Sequence, residues 1–420
     1  MTKKSLTLGL SLTIGILFVV LSILPAQAAI IIPSADGSDG ALHITSTTVI
    51  DLAEAITGDW DSDNSTNAGK GIYDPQQWAV VFKYNSVAID AGAVLTFLNH
   101  PSRAPVVWLV NGNVIINGTV SLNGQDYQTP PTIPEPGPGG FRGGSGYYRT
   151  INNGAGFGPG GGDGPSAGYG TSGSYGTGAS PYGNQSLIPL IGGSGGGGSN
   201  RSYAQVTGGA GGGAILIACQ STLTINGELQ CNGGSGWIYQ HNGGIRTGSG
   251  SGGGIRLISN TLSGNGKISA IGGSDGGMGL IRIERIINDN TLEVVPGASV
   301  VNLNSATTAM LWPPDNAPKI KILSIGGIEA PEDPRAEFGT YGADVALPEV
   351  SSTQIVIETT NVEEASQVQV RVTPRFNANA TTVNATIEGV VSEDPLVIKW
   401  IANLPVNVGY SAVQVKVLRP

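Results

Sequence analysis

Charge is scarce in this chain. Only 12% of its 420 residues are Asp, Glu, Lys or Arg, against about 25% in ordinary globular domains. The net charge is −9 and no cluster of Lys and Arg stands out. A phosphate backbone needs a concentrated basic surface, so nucleic acid is excluded as a partner. Histidine is rarer still: His43, His100 and His241 are the whole supply, which leaves a serine triad little to draw on. Two cysteines, Cys219 and Cys231, cannot staple a chain this long, so the fold must stand on its own core. Helical periodicity is nearly missing; only Asp51 to Ile56 reads as a turn or two.

Long apolar runs are missing too, with one exception at the N-terminus. Lys3 and Lys4 precede an apolar stretch from Leu6 to Leu24, and Ala26-Gln27-Ala28 follows with small residues where a signal peptidase reads. This pattern predicts a secretory signal peptide over residues 1–28, cut between Ala28 and Ala29. A retained membrane anchor is the other reading of the same segment. No Cys lies near the cut, which argues against a lipoprotein. No later run is long enough to span a bilayer. Export leads to an oxidising compartment, in which Cys219 and Cys231 are expected to form a disulfide.

What the chain has in excess is glycine, 66 residues in all. Between the glycines, short runs rich in Val, Ile and Thr alternate with Gly, Asn and Ser, the signature of strands and turns. Three segments share one pattern of strand, turn, strand, Asn-Gly or Gly-x-Gly corner, strand. They are Val107 to Gly124, Ala214 to Gly234 and Ile255 to Gly273. Aligning the second with the third matches Ile215 to Ile255 and Leu223 to Leu262. One such unit cannot bury both faces of its strands, whereas stacked units can. The fold class expected is all-β: a parallel β-helix over residues 29–311, interrupted by a Gly-rich insertion at about 125–213. The local alternative is a β-hairpin at each Asn-Gly. The insertion is either an excursion from the wall or a place where glycine backbones pack in extended form.

The run Tyr84 to Phe97, followed by Val106 to Gly124, resembles glycine-rich secreted or cell-surface proteins of bacteria that repeat a strand, Asn-Gly, strand unit. The resemblance covers Tyr84 to Glu284. It implies a β-helical surface protein and brings no catalytic residues with it.

After the Pro-rich stretch 312–318 the composition changes: glycine thins and charge returns. Strands are expected at Lys319–Ile325, Gln354–Thr359, Gln367–Thr373, Asn384–Glu388, Leu396–Ile401 and Ser411–Leu418. Their number and alternation predict an immunoglobulin-like β-sandwich over residues 319–420, able to fold alone.

Ser194 and Ser274 sit between glycines in the manner of a nucleophile elbow, but that motif needs a strand-to-helix turn, and glycine-rich tracts make such matches by chance. Asp59, Asp61 and Asp63 alternate along one loop and could converge on Ca²⁺, which takes roughly six to eight oxygens. An EF-hand loop is excluded, because Asn64 and Lys70 stand where it requires Gly and Glu; the plainer reading is a solvated acidic turn. No other cofactor is implied. A carbohydrate-active β-helix enzyme, a polysaccharide lyase or hydrolase, would have to work with Glu228, Arg256, Lys267, Arg282 and Glu284. Tyr147, Tyr148, Tyr169, Tyr175, Tyr182, Tyr203, Trp237 and Tyr239 fall in the Gly-rich part, where exposed aromatics suit contact with a sugar or a partner. The leading expectation is a non-enzymatic extracellular or cell-surface protein, adhesive or self-assembling, with a polysaccharide, a cell surface or its own copies as partner. Its functional surface is expected in the segment Gly139 to Gly198.

Overall fold

The computed structural model describes residues 29–129, 132–146, 154–162, 166–174, 179–201, 204–239, 245–336, 342–348, 352–375, 380–405 and 409–420. The described residues are all-β, with two short 3₁₀ turns at Leu52–Glu54 and Ser65–Asn67. The larger part is built on parallel ladders. Ala214–Ile225 lies between Val106–Val110 and Val114–Ile116 on one side and Gly254–Gly264 on the other. Leu280–Asn290 and Ser299–Asn302 continue the same sheet, again in parallel. A second parallel sheet runs beside it through Thr48–Asp51, Val94–Leu98, Thr119–Ser121, Glu228–Gln230, Lys267–Ser269 and Glu293–Val295.

The sequence pattern explains the pairing. Ile215 faces Ile255 and Leu223 faces Leu262, with the register slipping by one residue between Cys219 and Thr222. Asn117-Gly118 and Asn226-Gly227 are corners between the two sheets, so the hairpin reading of Asn-Gly does not hold: Thr119–Ser121 pairs with Glu228–Gln230 and not with the strand before it. Asn226 donates from Nδ2 to Asn117 Oδ1 at 2.9 Å, stacking one corner on the other.

Alternate residues of a strand point to opposite faces, and here both faces are apolar. Val106, Trp108 and Val110 enter the main core together with Ile215, Ile217, Leu229 and Ile268. Val107 and Leu109 enter a second core on the other face, covered by Ile30, Ile32, Ala309 and Leu311. Ile31 bridges Thr308 in parallel, so the two ends of this part form one strap over the sheet. Burial on both faces is why Val106–Val110 is a continuous apolar run.

The Gly-rich part is not an excursion. Its described segments pack as extended backbones, and their hydrogen bonds run with a period of three. Gly208 and Gly211 donate to Gly144 and Phe141; Gly209 and Gly212 donate to Gly248 and Ser251; Ala210 and Gly213 donate to Gln125 and Leu122. One segment therefore bonds three neighbours in rotation. The next segments repeat the rule: Thr247, Gly250 and Gly253 donate to Trp237, Gly234 and Cys231. Three residues per turn without internal hydrogen bonds is the geometry of a polyproline-II helix. The result is a bundle of such helices bonded sideways in several directions, where a sheet would bond in two. Glycine is required by contact: a Cβ on Gly195 would meet the backbone of Arg142 and lie 2.7 Å from Gly143 N.

The C-terminal part consists of two antiparallel sheets. One orders Ile328–Glu329, Lys319–Ile325, Ser352–Thr360, Leu396–Pro405 and Thr386–Glu393; the other orders Thr381–Asn384, Gln367–Pro374 and Ser411–Leu418. Ile355, Ile357 and Trp400 from the first share a core with Val368, Val370 and Val372 from the second.

The expected disulfide is absent. Cys219 and Cys231 are free, buried thiols. Each fills its own place in the main core, and Cys219 Sγ donates to the Gly112 carbonyl at 3.0 Å. Burial pushes the Cys219 thiol up to about 11 and raises that of Cys231 as well, which makes both poor nucleophiles for exchange.

Candidate functional site

The candidate residues scatter. Ser194 is fully buried and bonded into the glycine bundle: its hydroxyl donates to Tyr182 Oη at 3.0 Å and accepts from Gly160 N at 3.0 Å. Ser274 is exposed and contacts Ser235. Asp59, Asp61 and Asp63 do not converge. Asp63 accepts from Ser65 N at 2.8 Å and from its hydroxyl. The centre of the loop is taken by Lys83, whose fully buried ammonium pairs with Asp36 at 2.8 Å and donates to the carbonyls of Asp61 and Ser62. Among the described residues no group of three or more His, Cys, Asp or Glu could hold a metal ion.

Glu228 and Lys267 are paired across neighbouring strands, and Lys267 bonds Glu293 at 2.6 Å on the outer face. Arg256, Arg282 and Glu284 do come together. Glu284 Oε1 accepts from Arg256 Nε at 2.9 Å and from Arg282 Nε at 3.3 Å, while Arg256 reaches the carbonyls of Met310 and Leu311. Arg256 and Glu284 are buried and clamp the strap, with Arg282 partly exposed beside them, so the one acid of the cluster is already held by two guanidiniums.

Tyr147, Tyr148, Tyr175 and Tyr203 lie outside the described residues, and Tyr239 ends the short strand Ile238–Tyr239. Tyr169 is completely buried, with its hydroxyl on the Ile191 carbonyl at 2.9 Å. Tyr182 packs on it, ring centres 4.6 Å apart, and donates to the Gly192 carbonyl at 2.6 Å. Trp237 is half-buried beside Val206 and Tyr127. The described part of Gly139 to Gly198 is mostly interior, so an exposed aromatic surface does not form from Tyr169. These rings fill gaps that glycine leaves.

A different feature does form a site. Between the glycine bundle and the C-terminal sheets lies a cleft of about 1760 Å³. Trp78, Arg103, Phe141, Arg142 and Phe157 line one wall; Lys319, Lys321, Arg371, Tyr410 and Lys416 line the other. The walls are fixed to each other. Arg371 donates to the carbonyls of Gly156, Gly158 and Gly161, and Gln414 Oε1 accepts from Gly158 N at 3.2 Å. A further tie joins the two parts: Tyr73 donates to Asp333 at 2.7 Å under the Arg335 guanidinium, and stacks on His100 with ring centres 4.0 Å apart.

Strand alternation sets the second wall. Val368, Val370 and Val372 point into the sandwich core, so Gln369 and Arg371 point to the cleft. Gln414 and Lys416 stand opposite them as register partners. Arg371 and Gln414 are used for docking; Gln369 and Lys416 form the next rung. On the first wall, Trp78 stands at the end of a tight turn with φ of 47°, a region that bulky residues seldom adopt. Asp74 holds the turn by accepting from Gln76 N at 2.7 Å and Gln77 N at 3.2 Å. The indole donates to the Ser102 carbonyl at 3.0 Å, which fixes the ring at the cleft.

Glu135 braces Arg103 and Arg142 from behind, bonding the first at 2.8 Å and the second more closely. Burial acts to raise its carboxyl, but the two guanidiniums prevail and hold it below the usual 4.5. With the folded value below the unfolded one, its contribution to stability is present above about pH 4.5 and is lost as pH falls through the folded value. On acidification from pH 5 to pH 3, Glu135→Gln is expected to lose thermal midpoint less steeply than the parent. Equal slopes in a pH series of melting curves would refute this role.

Comparison with protein families, with curated proteins and with solved structures returns no match. Among the described residues no helix is long and apolar enough to cross a membrane.

Proposed function

We propose that this is a non-enzymatic extracellular or cell-surface binding protein of bacterial type, in which a parallel β-helix carries an immunoglobulin-like module. The N-terminal basic and apolar segment with its Ala28–Ala29 junction supports export. The parallel ladders, the Asn-Gly corners and the matched register of Ile215 with Ile255 support the solenoid reading. The glycine bundle acts as a rigid filler that joins the solenoid wall to the module. A partner is met in the cleft, and the observation that carries this is the cleft itself: about 1760 Å³, walled by both parts and lined with fixed aromatic and cationic side chains. Pockets for drug-sized ligands measure roughly 300–1,000 Å³, so a larger ligand is expected, a polysaccharide or a surface polymer.

The test has two parts. A host expressing the chain with its own leader should export a protein that begins at Ala29. That protein should co-sediment with cell-envelope polysaccharide, and Trp78→Ala, assayed well below its own melting midpoint, should reduce the bound fraction severalfold. Retention in the cytoplasm with the leader intact, or sedimentation indifferent to Trp78→Ala, would overturn the proposal.

A further inference from the structure

We infer that the cleft takes an acidic glycan, whose sugar rings lie against Trp78 and Phe141 and whose carboxylate or sulfate groups are met by Lys416. The inference rests on reading the cleft as the binding surface and adds the chemistry of its ligand.

Of the cleft's cations, Lys319 and Lys416 make no side-chain hydrogen bond or ion pair among the described residues, and Lys319 is exposed to water, which leaves Lys416. Its side chain is half-buried on the cleft wall, one rung from the docked Arg371. Burial and the Arg371 charge hold its ammonium below the ordinary lysine value, and no acid counters them among the described residues. Of the acids lining the cleft, Glu332, Asp333 and Asp344 are engaged elsewhere, and Glu358 stands on the register partner of Lys321. Glu332 pairs with Lys321 at 2.8 Å; Asp333 pairs with Arg335 at 2.6 Å and accepts from Tyr73; Asp344 accepts the backbone N–H groups of Arg335 and Ala336. Glu135 is shared by Arg103 and Arg142. An incoming anion would relieve the repulsion between Lys416 and Arg371, and carboxylates and sulfates are the anions that glycans carry. A flat aromatic ring held in a fixed orientation offers the apolar face that a sugar ring covers well, and the bracing of Trp78 by Asp74 and Ser102 supplies that orientation. Trp78, Phe141 and Lys416 line this one cleft, so both features face the same ligand space.

The experiment is calorimetric titration of the full secreted chain with four probes: an octameric oligogalacturonate, a heparin octasaccharide, cellohexaose and polyglutamate. Binding is expected for at least one acidic glycan, weakening as salt is raised, because screening acts on the charge contact. The oligogalacturonate and heparin arms tell carboxylate from sulfate. Lys416→Gln should weaken that binding about tenfold, the size of one lost charge-assisted hydrogen bond. Gln369→Glu, which places an acid on the register partner of Lys416, should weaken it similarly while keeping the lysine. A variant with a displaced melting midpoint is replaced by the other in the comparison. Equal binding of cellohexaose, or indifference to both variants, would overturn the anionic ligand while leaving the cleft a glycan site. Equal binding of polyglutamate would overturn the glycan. No binding of any probe, together with envelope sedimentation indifferent to Trp78→Ala, would overturn the cleft reading itself.

Discussion

Gly211→Ala is expected to abolish cooperative folding, while Gly297→Ala is expected to leave stability unchanged. A single methyl on Gly211 would come within 2.9 Å of Ser194 N and closer still to the carbonyl carbon and oxygen of Gly193. These are backbone atoms, held by their own hydrogen bonds, so no rotamer change can make room. Moving the segments apart would break the bonds from Gly211 N to Phe141 and from Gly137 N to Gly211, and those of the adjoining turns. Ordinary overpacking costs ~1–3 kcal/mol because side chains yield; here the cost spreads over several segments and exceeds that range. At Gly297 a Cβ meets nothing within 4 Å. Circular dichroism melts of the two variants provide the check. A Gly211→Ala midpoint within roughly 2–4 °C of the parent, the effect of ~1 kcal/mol in a large domain, would refute rigid packing of the bundle.

Glu284→Ala is expected to lower stability by about 3–5 kcal/mol, the range for removing one partner of a buried ion pair. The loss follows from what remains. Arg256 is 2% exposed, and its other donors are committed to the carbonyls of Met310 and Leu311. Without Glu284 its charge stays buried with only neutral acceptors. Arg282 is more accessible and can turn to water. Replacing both partners, as Arg256→Met with Glu284→Met, removes the charge along with its counter-ion and should recover most of the loss. Chemical denaturation of the two single variants and the double variant tests this. A double variant as unstable as the sum of the singles would show that the two residues act independently.

The strands were legible because side chains announce them. The match of Ile215 to Ile255 and of Leu223 to Leu262 in the sequence is the register found in the sheet. In the C-terminal part Lys319–Ile325 and Ser411–Leu418 have the bounds their alternation implies. The glycine bundle was not legible, since hydrophobic periodicity reads side chains and glycine has none; its period of three exists only in backbone partners. An aromatic ring among glycines reads as a surface contact for a sugar or a partner, whereas Tyr169 is buried among the glycine backbones. The cleft was hidden for another reason. Trp78, Phe141 and Lys416 lie on separate parts of the chain, and only docking through Arg371 and Gln414 brings them to one place. Gln414 and Lys416 did share a face by alternation, but nothing in the sequence says what that face meets.

The rotation of hydrogen bonds in the bundle also limits how this protein can change in length. A segment that bonds three neighbours in turn, as Gly208 to Gly213 does, keeps every partner only when residues are added or lost in threes. The strands next to it alternate between core and surface, and a slip of one residue reverses their faces; they tolerate change only in twos. Where a glycine segment leads directly into a strand, as at Gly213 and Ala214, the two counting rules meet at one peptide bond. Insertions of other lengths are confined to the corners and loops, and variation in length along a lineage would accumulate there.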